Sequence, residues 1–323
     1  MNVLSRLLRA GDPAVRYKVL VNGLGLDPHS APVTAARDEI RASERVRRLL
    51  SERDADGRIP FGPYAKWYGA HWVLATLADI GYPPGDASLI PLREQEYAWL
   101  LSEKHEKSIR TLQGRVRRCA SQEAYAVFAL LTLGLADSRT EELVERLLRW
   151  QWSDGGWNCD KRPEAINSSF SETLIPLRGL ALHARLTGDP HSRAAAARAA
   201  EVFLQRRLFK RRRDGQILAP DFIRLHYPCY WHYDILFALK VLGEAGFIRD
   251  VRCSDALDLL ESKRLPDGGF PAEFKYYRVA EKHASCGSLV GWGVTSVRQM
   301  NEFVTAEALG VLKAAGRLPT DDR

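Results

Sequence analysis

The chain has 323 residues, 47 of them Lys or Arg against 40 Asp or Glu, for a formal charge of +7, with 46% hydrophobic and 27% charged side chains. Those proportions exclude a disordered chain, a collagen-like chain and a small disulfide scaffold. A domain of this length can bury roughly 75% of its unfolded surface, so a large core is available without cross-links. In chain order, helical patterns dominate. Predicted helices cover residues 66–80, 121–135, 141–150, 169–186, 195–208, 230–245 and 255–263. The segments at 141–150 and 255–263 are one-sided, with apolar residues at helical spacing, as in Leu143, Leu147 and Trp150. Those at 66–80, 121–135, 169–186 and 230–245 are apolar on more of their circumference and end at Gly81, Gly134, Gly188 and Gly246, residues suited to a left-handed helix stop. Strand signals are scarce, and a short hairpin is the most sheet expected.

The basic side chains number 36 Arg and 11 Lys, without a long single-sign tail, so a nucleic-acid partner is not expected. The run Arg206, Arg207, Lys210, Arg211, Arg212 and Arg213 reads as a solvated face or as an anion or anionic-lipid surface, which leaves peripheral membrane contact open. Five cysteines at 119, 159, 229, 253 and 286 form no CxxC pair and suit reduced thiols. The first residues lack a signal-peptide pattern, and the longest mostly apolar stretch, 124–136, is too short to cross a bilayer. A cytoplasmic protein is therefore expected.

A one-sided helix, a Gly-containing turn and a more apolar helix recur along the chain. The turns stand at Asp56-Gly57, Gln113-Gly114, Asp154-Gly155-Gly156-Trp157, Asp214-Gly215 and Asp267-Gly268-Gly269-Phe270, their glycines 57, 41, 60 and 53 residues apart. Such a period indicates repeated helical hairpins, the more apolar helices inside and the one-sided ones outside. An open solenoid is the other arrangement of the same repeats.

The segment Gln151-Trp152-Ser153-Asp154-Gly155-Gly156-Trp157 resembles the Q-x3-G-x-W core of the QW repeat of squalene and oxidosqualene cyclases, and Asp267–Phe270 resembles a degenerate copy. Asp-Gly-Gly turns also occur in protein prenyltransferase β subunits, and the chain is similar to stand-alone bacterial proteins labelled squalene-cyclase-like or prenyltransferase-like. The resemblance implies an all-α, (α/α)6-type toroid as one domain: N-terminal helices over 1–33, repeats over 34–315 and a tail over 316–323. It departs from the family in chemistry. No D-x-D-D acid motif is present, Asp54-Ala55-Asp56-Gly57 being the nearest shape. The adjacent Asp pair, Asp321-Asp322, sits in the tail rather than in a magnesium-binding D-D-x-x-D.

Polar residues gather at the starts of the expected inner helices. Tyr64, Trp67, Tyr68 and His71 read as an aromatic wall beside a titratable imidazole, or as a packed aromatic helix with a hydrogen-bonded His. Cys119 and Glu123 follow, with Ser121 as an expected N-cap and Glu123 as a group complementing the helix dipole. Next come Trp157, Cys159 and Asp160, then Ser169-x-x-Glu172, a capping box that gives Glu172 a structural task. Asp160 reads as an acid beside a Trp or as an Asx-turn. The densest segment holds His226, Cys229, Tyr230, Trp231, His232 and Asp234.

These clusters lead to an enzyme acting by acid/base chemistry, of cyclase, isomerase or lyase type, on a hydrophobic, isoprenoid-like or polycyclic small molecule. Asp160 or Asp234 would give a proton and His71 or His232 would take one back. Tyr64, Trp67, Tyr68, Trp157, Tyr230, Trp231, Glu123 and Cys119 would line the substrate site. No cofactor is required for that chemistry. The prenyltransferase resemblance adds a second reading, a zinc-dependent prenyltransferase-like transferase, with Cys159, His226, Cys229 and His232 as ligands of suitable type. A non-catalytic binding or scaffold toroid is the third reading, its polar residues serving as caps.

Overall fold

A computed structural model describes residues 2–280 and 284–318. The Asp321–Asp322 pair and the end of the expected tail, 319–323, lie outside the described residues. The helices are α1 (Val3–Leu7), α2 (Pro13–Lys18), α3 (Ala31–Ala42), α4 (Glu44–Leu49), α5 (Ala70–Ile80), α6 (Ile90–Leu100) and α7 (Glu103–Glu106). They continue with α8 (Ala120–Thr132), α9 (Ser138–Trp150), α10 (Phe170–Thr187), α11 (Pro190–Leu204), α12 (Ile235–Glu244), α13 (Ser254–Glu261) and α14 (Glu302–Ala314). The strands among the described residues are β1 (Arg110–Leu112) paired antiparallel with β2 (Arg115–Arg117), and the short parallel pair β3 (Arg278–Val279) and β4 (Gly287–Ser288). The expected all-α class holds, with the hairpin at the Gln113-Gly114 turn.

Contacts gather in two compact units that interleave along the chain. One comprises 1–49, 80–83 and 205–323; the other comprises 50–79 and 84–204. The first is the terminal unit and the second the middle unit.

In the middle unit, α10 packs against α8 and α11, and α9 packs against α8. Helix α8 is buried at every position from Ala120 to Leu130, whereas α9 buries one stripe that includes Leu143, Val144, Leu147 and Trp150. This is the expected alternation of inner and outer helices. Helices α8 and α10 come close enough that a Cβ at Gly179 would stand 2.9 Å from the Ala124 carbonyl oxygen. In the terminal unit, α2 packs on α3, α14 on α12, and α14 on a π-helical turn over Val19–Leu24. Here α14 and α12 are the helices buried nearly all round. The glycines expected to stop helices all take positive φ: Gly81 85°, Gly134 63°, Gly188 78° and Gly246 86°.

Three helix starts differ from the sequence reading. Helix α5 begins at Ala70, so Tyr64, Trp67 and Tyr68 lie on a turn-rich loop and do not share a helix face with His71. Helix α12 begins after Asp234, and Tyr230 has φ 46°. Asp234 is therefore the N-cap rather than a residue of the first turn, because its short carboxylate accepts from a free amide of that turn. Helix α8 starts one residue earlier than expected, with Cys119 at the N-cap position and Ser121 inside the helix.

The two Asp-Gly-Gly turns are built alike, one in each unit. In the middle unit, Trp152 N–H donates to Gly156 O (2.8 Å) and Gly155 N–H to Trp152 O (3.0 Å). In the terminal unit, Leu265 N–H donates to Gly269 O (2.9 Å) and Gly268 N–H to Leu265 O (2.9 Å). Each turn is tied to the helix that follows it. Thr173 Oγ1 accepts from Trp157 N–H (3.2 Å) and donates to Trp157 O (3.4 Å). Thr305 Oγ1 does the same with Phe270, at 2.9 and 3.1 Å. The helix N-caps complete the match: Ser169 N–H donates to Trp157 O (2.8 Å) and Asn301 N–H to Phe270 O (2.9 Å).

Candidate active site

The reactive side chains of the middle unit converge around Tyr64. Its ring lies 5.3 Å from His71, 5.1 Å from Trp72 and 5.4 Å from Trp99, centroid to centroid. Trp67 meets Trp72 edge-on at 4.7 Å, and Tyr125 lies 6.0 Å from His71. Edge and tilted contacts of this kind are the favoured geometry for aromatic packing. Burial pushes the Tyr64 phenol above its ordinary pKa, opposed by a hydrogen bond with Gln122 and reinforced by the nearby Glu172, Cys119 and Cys159. Tyr68 packs edge-on against Phe61 at 5.2 Å.

His71, on the first turn of α5, is 2% exposed. Its Nδ1 is 2.6 Å from Oε1 of Glu96 on α6, also buried. A carboxylate at Nδ1 favours the tautomer with a proton there, leaving Nε2 as an acceptor. That Nε2 is buried and without a hydrogen-bond partner in the structure. His105 and Glu123 form a second buried pair, Nε2 to Oε1 at 2.6 Å, and Arg118 reaches both of them as well as Gln122. Glu123 is thus more than a charge at a helix start: it lies with a histidine and an arginine.

Cys119, Cys159 and Glu172 form the third component. Glu172 Oε2 accepts from Ser121 N–H at 3.0 Å, and Cys159 Sγ donates to Oε1 at 3.6 Å. The sequence reading of Glu172 as half of a capping box needs correction. Ser169 caps the Glu172 amide, but the Glu172 carboxylate turns away to α8 and Cys159. Burial raises its pKa, with the Ser121 and Cys159 hydrogen bonds opposing. The Cys119 thiol is also raised, first by its hydrogen bond with Cys159 and then by burial.

Two expected acids do not suit proton donation. Asp160 sits on a loop and holds Arg162, Oδ2 to Nη2 at 2.6 Å, while its Oδ1 accepts from Arg162 N–H at 2.9 Å. Those contacts pull its pKa down to about 2, so it is ionised at neutral pH. The Asx-turn reading is what the loop shows. Asp234 is buried, and both its oxygens are committed: Oδ1 accepts from Phe237 N–H at 2.7 Å, and Oδ2 from His226 N–H and His226 Nδ1 at 2.9 Å. Burial alone would lower the His226 pKa, but the Asp234 charge and hydrogen bond raise it above its ordinary value.

Among the described residues, His226, Cys229 and His232 of the terminal unit do not gather as a metal-ligand group, and Cys159 lies in the middle unit. Cys229 Sγ lies 3.8 Å from the His226 carbonyl, and the His226 and His232 rings are 6.2 Å apart. His232 is instead sandwiched between Trp231 at 3.9 Å and Tyr276 at 3.4 Å. Tyr230 is buried, with its hydroxyl pKa raised by that burial. Trp157 is 1% exposed and donates from its indole N–H to Leu147 O at 3.0 Å, a packing position against α9. In the basic run, Arg207 and Lys210 both pair with Asp255 at 3.0 and 2.5 Å.

Of the residues at the centre, Tyr64, Trp67, His71, Cys119, Cys159 and Glu123 are legible in the sequence. Glu96, Trp99 and His105 come from the fold. Glu96 had one usable signal: a lone carboxylate on the inward face of a helix otherwise filled there by Leu92 and Leu100.

No protein-family model matches the chain, and no curated protein matches it. Among solved structures it is similar to the type II terpene cyclase MstE from Scytonema in complex with its substrate, geranylgeranyl dihydroxybenzoate. Two variants of that protein align at 15% and 16% identity with TM-scores of 0.42 and 0.41, each covering 95% of this chain and 88% of the other. No helix among the described residues is long and apolar enough to cross a membrane.

Proposed function

We propose that the chain is an enzyme that rearranges a hydrophobic, isoprenoid-like small molecule by proton transfer, with His71 as the base. The observation that carries this reading is the buried His71–Glu96 pair, whose Nε2 is unpartnered amid Tyr64, Trp72, Trp99 and Tyr125. Leaving a buried polar atom unsatisfied costs about 1–3 kcal/mol, so a fold without a use for it has reason to replace it. Aromatic faces around that atom suit a substrate that becomes cationic when an alkene is protonated. Removal of a neighbouring proton by Nε2 then gives an isomer, with no change in atoms or electrons. The acidic end of the reaction falls to the Glu172 group, which Tyr64 joins to His71. The substrate class rests on the apolar, aromatic lining together with the QW-like turn at 151–157.

The test incubates the purified chain, and its His71→Gln variant, with linear polyprenyl compounds, and follows products of unchanged mass by chromatography and mass spectrometry. Conversion by the parent, reduced about 10²-fold or more in the variant, supports the reading. A variant as active as the parent removes His71 from the base role. A parent that binds such compounds and converts none leaves the binding or scaffold protein as the better description.

A further inference from the structure

We propose that Cys119, Cys159 and Glu172 hold a zinc ion and leave one of its positions open. With such an ion bound, Glu172 would be ionised, and the open position rather than the Glu172 carboxyl would supply the acid of the reading proposed above, on which this role rests; the metal site itself stands on separate observations. Three segments bring the ligands together: the N-cap position of α8, the loop after the Asp-Gly-Gly-Trp turn, and the first turn of α10. One ligand atom from each lies within 4.8 Å of the other two. A tetrahedral zinc about 2.3 Å from sulfur and about 2.0 Å from oxygen spaces its ligand atoms by roughly 3.5–3.8 Å, so small side-chain adjustments suffice. The Cys159 Sγ to Glu172 Oε1 separation is already 3.6 Å.

The carboxylate is also aimed. Ser121 N–H holds Oε2, which presents Oε1 to the sulfurs, and an outer hydrogen bond of this kind is what orients a metal ligand. Two thiolates and one carboxylate select a borderline ion such as zinc over magnesium or calcium. Three protein ligands rather than four leave a place for water or substrate, the arrangement of catalytic rather than structural sites.

The terminal unit supplies an independent control. Matching the two turns through Trp157 and Phe270 and the two helix starts through Ser169 and Asn301 sets Cys159 against Ala272 and Glu172 against Val304. Both counterparts are buried apolar residues in the same turn and helix start. The local architecture therefore needs neither a thiol nor a carboxylate at these places, and their pairing in the middle unit calls for a ligand.

The full chain, reduced and stripped with a chelator, is titrated with cobalt(II) as probe and then with zinc in competition. About one equivalent should bind, with sulfur-to-cobalt charge-transfer absorption and displacement by zinc. Cys159→Ala, which installs the residue found at the matching place in the terminal unit, should abolish that absorption. Glu172→Gln, which keeps an acceptor for Ser121, should weaken binding at least tenfold. Asp160→Asn and His71→Gln should bind as the parent does. A His71→Gln protein that binds cobalt normally thus separates the fate of the metal proposal from that of the proton-transfer reading. A folded parent that takes up neither ion, a Cys159→Ala protein with unchanged cobalt absorption, or a Cys119–Cys159 disulfide in the isolated protein that excludes metal overturns the proposal.

Discussion

The turn at 154–157 and the turn at 267–270 share a backbone and differ in what they carry. Both close with the same pair of main-chain hydrogen bonds, and both are fastened to the next helix by a buried threonine hydroxyl. Beyond that frame, the terminal unit places Ala272 and Val304 where the middle unit places Cys159 and Glu172. Burying an apolar side chain is favourable, whereas burying a carboxyl costs free energy unless its hydrogen bonds are replaced. The difference teaches where the fold ends and chemistry begins. Residues common to both copies serve the turn, and polar residues peculiar to one copy need another explanation.

The sharpest way to break this comparison is to make the copies alike. Cys159→Ala/Glu172→Val should abolish turnover, by about 10²-fold or more, while the melting temperature stays near the parent value or rises. Calorimetry alongside a product assay checks both halves. A collapse of the fold would show that Glu172 is needed for its bond to Ser121, and the two copies would then differ structurally after all.

The next effect concerns the glycines. Gly155 has φ 99°, and a Cβ there would stand 2.3 Å from the Arg198 carbonyl oxygen. Gly268 has φ 84°, but its nearest neighbour would be Val3 Cβ at 3.4 Å. Both replacements by alanine meet the left-handed penalty of about 1–2 kcal/mol, and Gly155→Ala meets a backbone clash as well. Denaturant unfolding should rank Gly155→Ala clearly the more destabilising; equal losses would mean that α11 yields.

Thr173→Val and Thr305→Val should each cost about 1–3 kcal/mol, because each leaves a buried amide without its acceptor. Similar losses sharpen the equivalence of the turns, and a cost in one copy alone breaks it. The smallest effect is in pH. The His226–Asp234 pair of the terminal unit raises the His226 pKa above its unfolded value. Its contribution is therefore complete below an unfolded pKa of about 6.5 and disappears as pH rises through the folded one. Thermal melting followed upward from pH 6 should show this decline, and His226→Gln should flatten it.

The helices were legible because a burial pattern survives in sequence. The stripe of Leu143, Leu147 and Trp150 marks α9, and the Gly after each apolar helix marks its end. Helix starts were less legible, since Tyr230–Tyr233 and Tyr64–Tyr68 carry helical composition while their backbones turn. The candidate site was legible by cluster but not by role. Asp160 beside a tryptophan in sequence faces Arg162 in space, and Asp234 spends both oxygens on a cap and a histidine. Glu172 departs from its sequence pattern for the opposite reason. A capping box gave a sufficient local account of it, and only the position of α8 shows the carboxylate turning elsewhere. Glu96 and His105 reach their partners from 25 and 18 residues away, a pairing that no short motif encodes.

The threonine fastenings also bear on the order in which the chain acquires structure. Trp157 and Thr173 are 16 residues apart, but Phe270 and Thr305 are 35 apart. Closing the longer segment costs about 0.7 kcal/mol more in chain entropy, a factor of roughly three in the population of closed conformers. During refolding, amides of the first turn should thus gain protection from hydrogen exchange ahead of those of the second. Two copies of one turn, identical in their finished hydrogen bonds, would then enter the native state at different times.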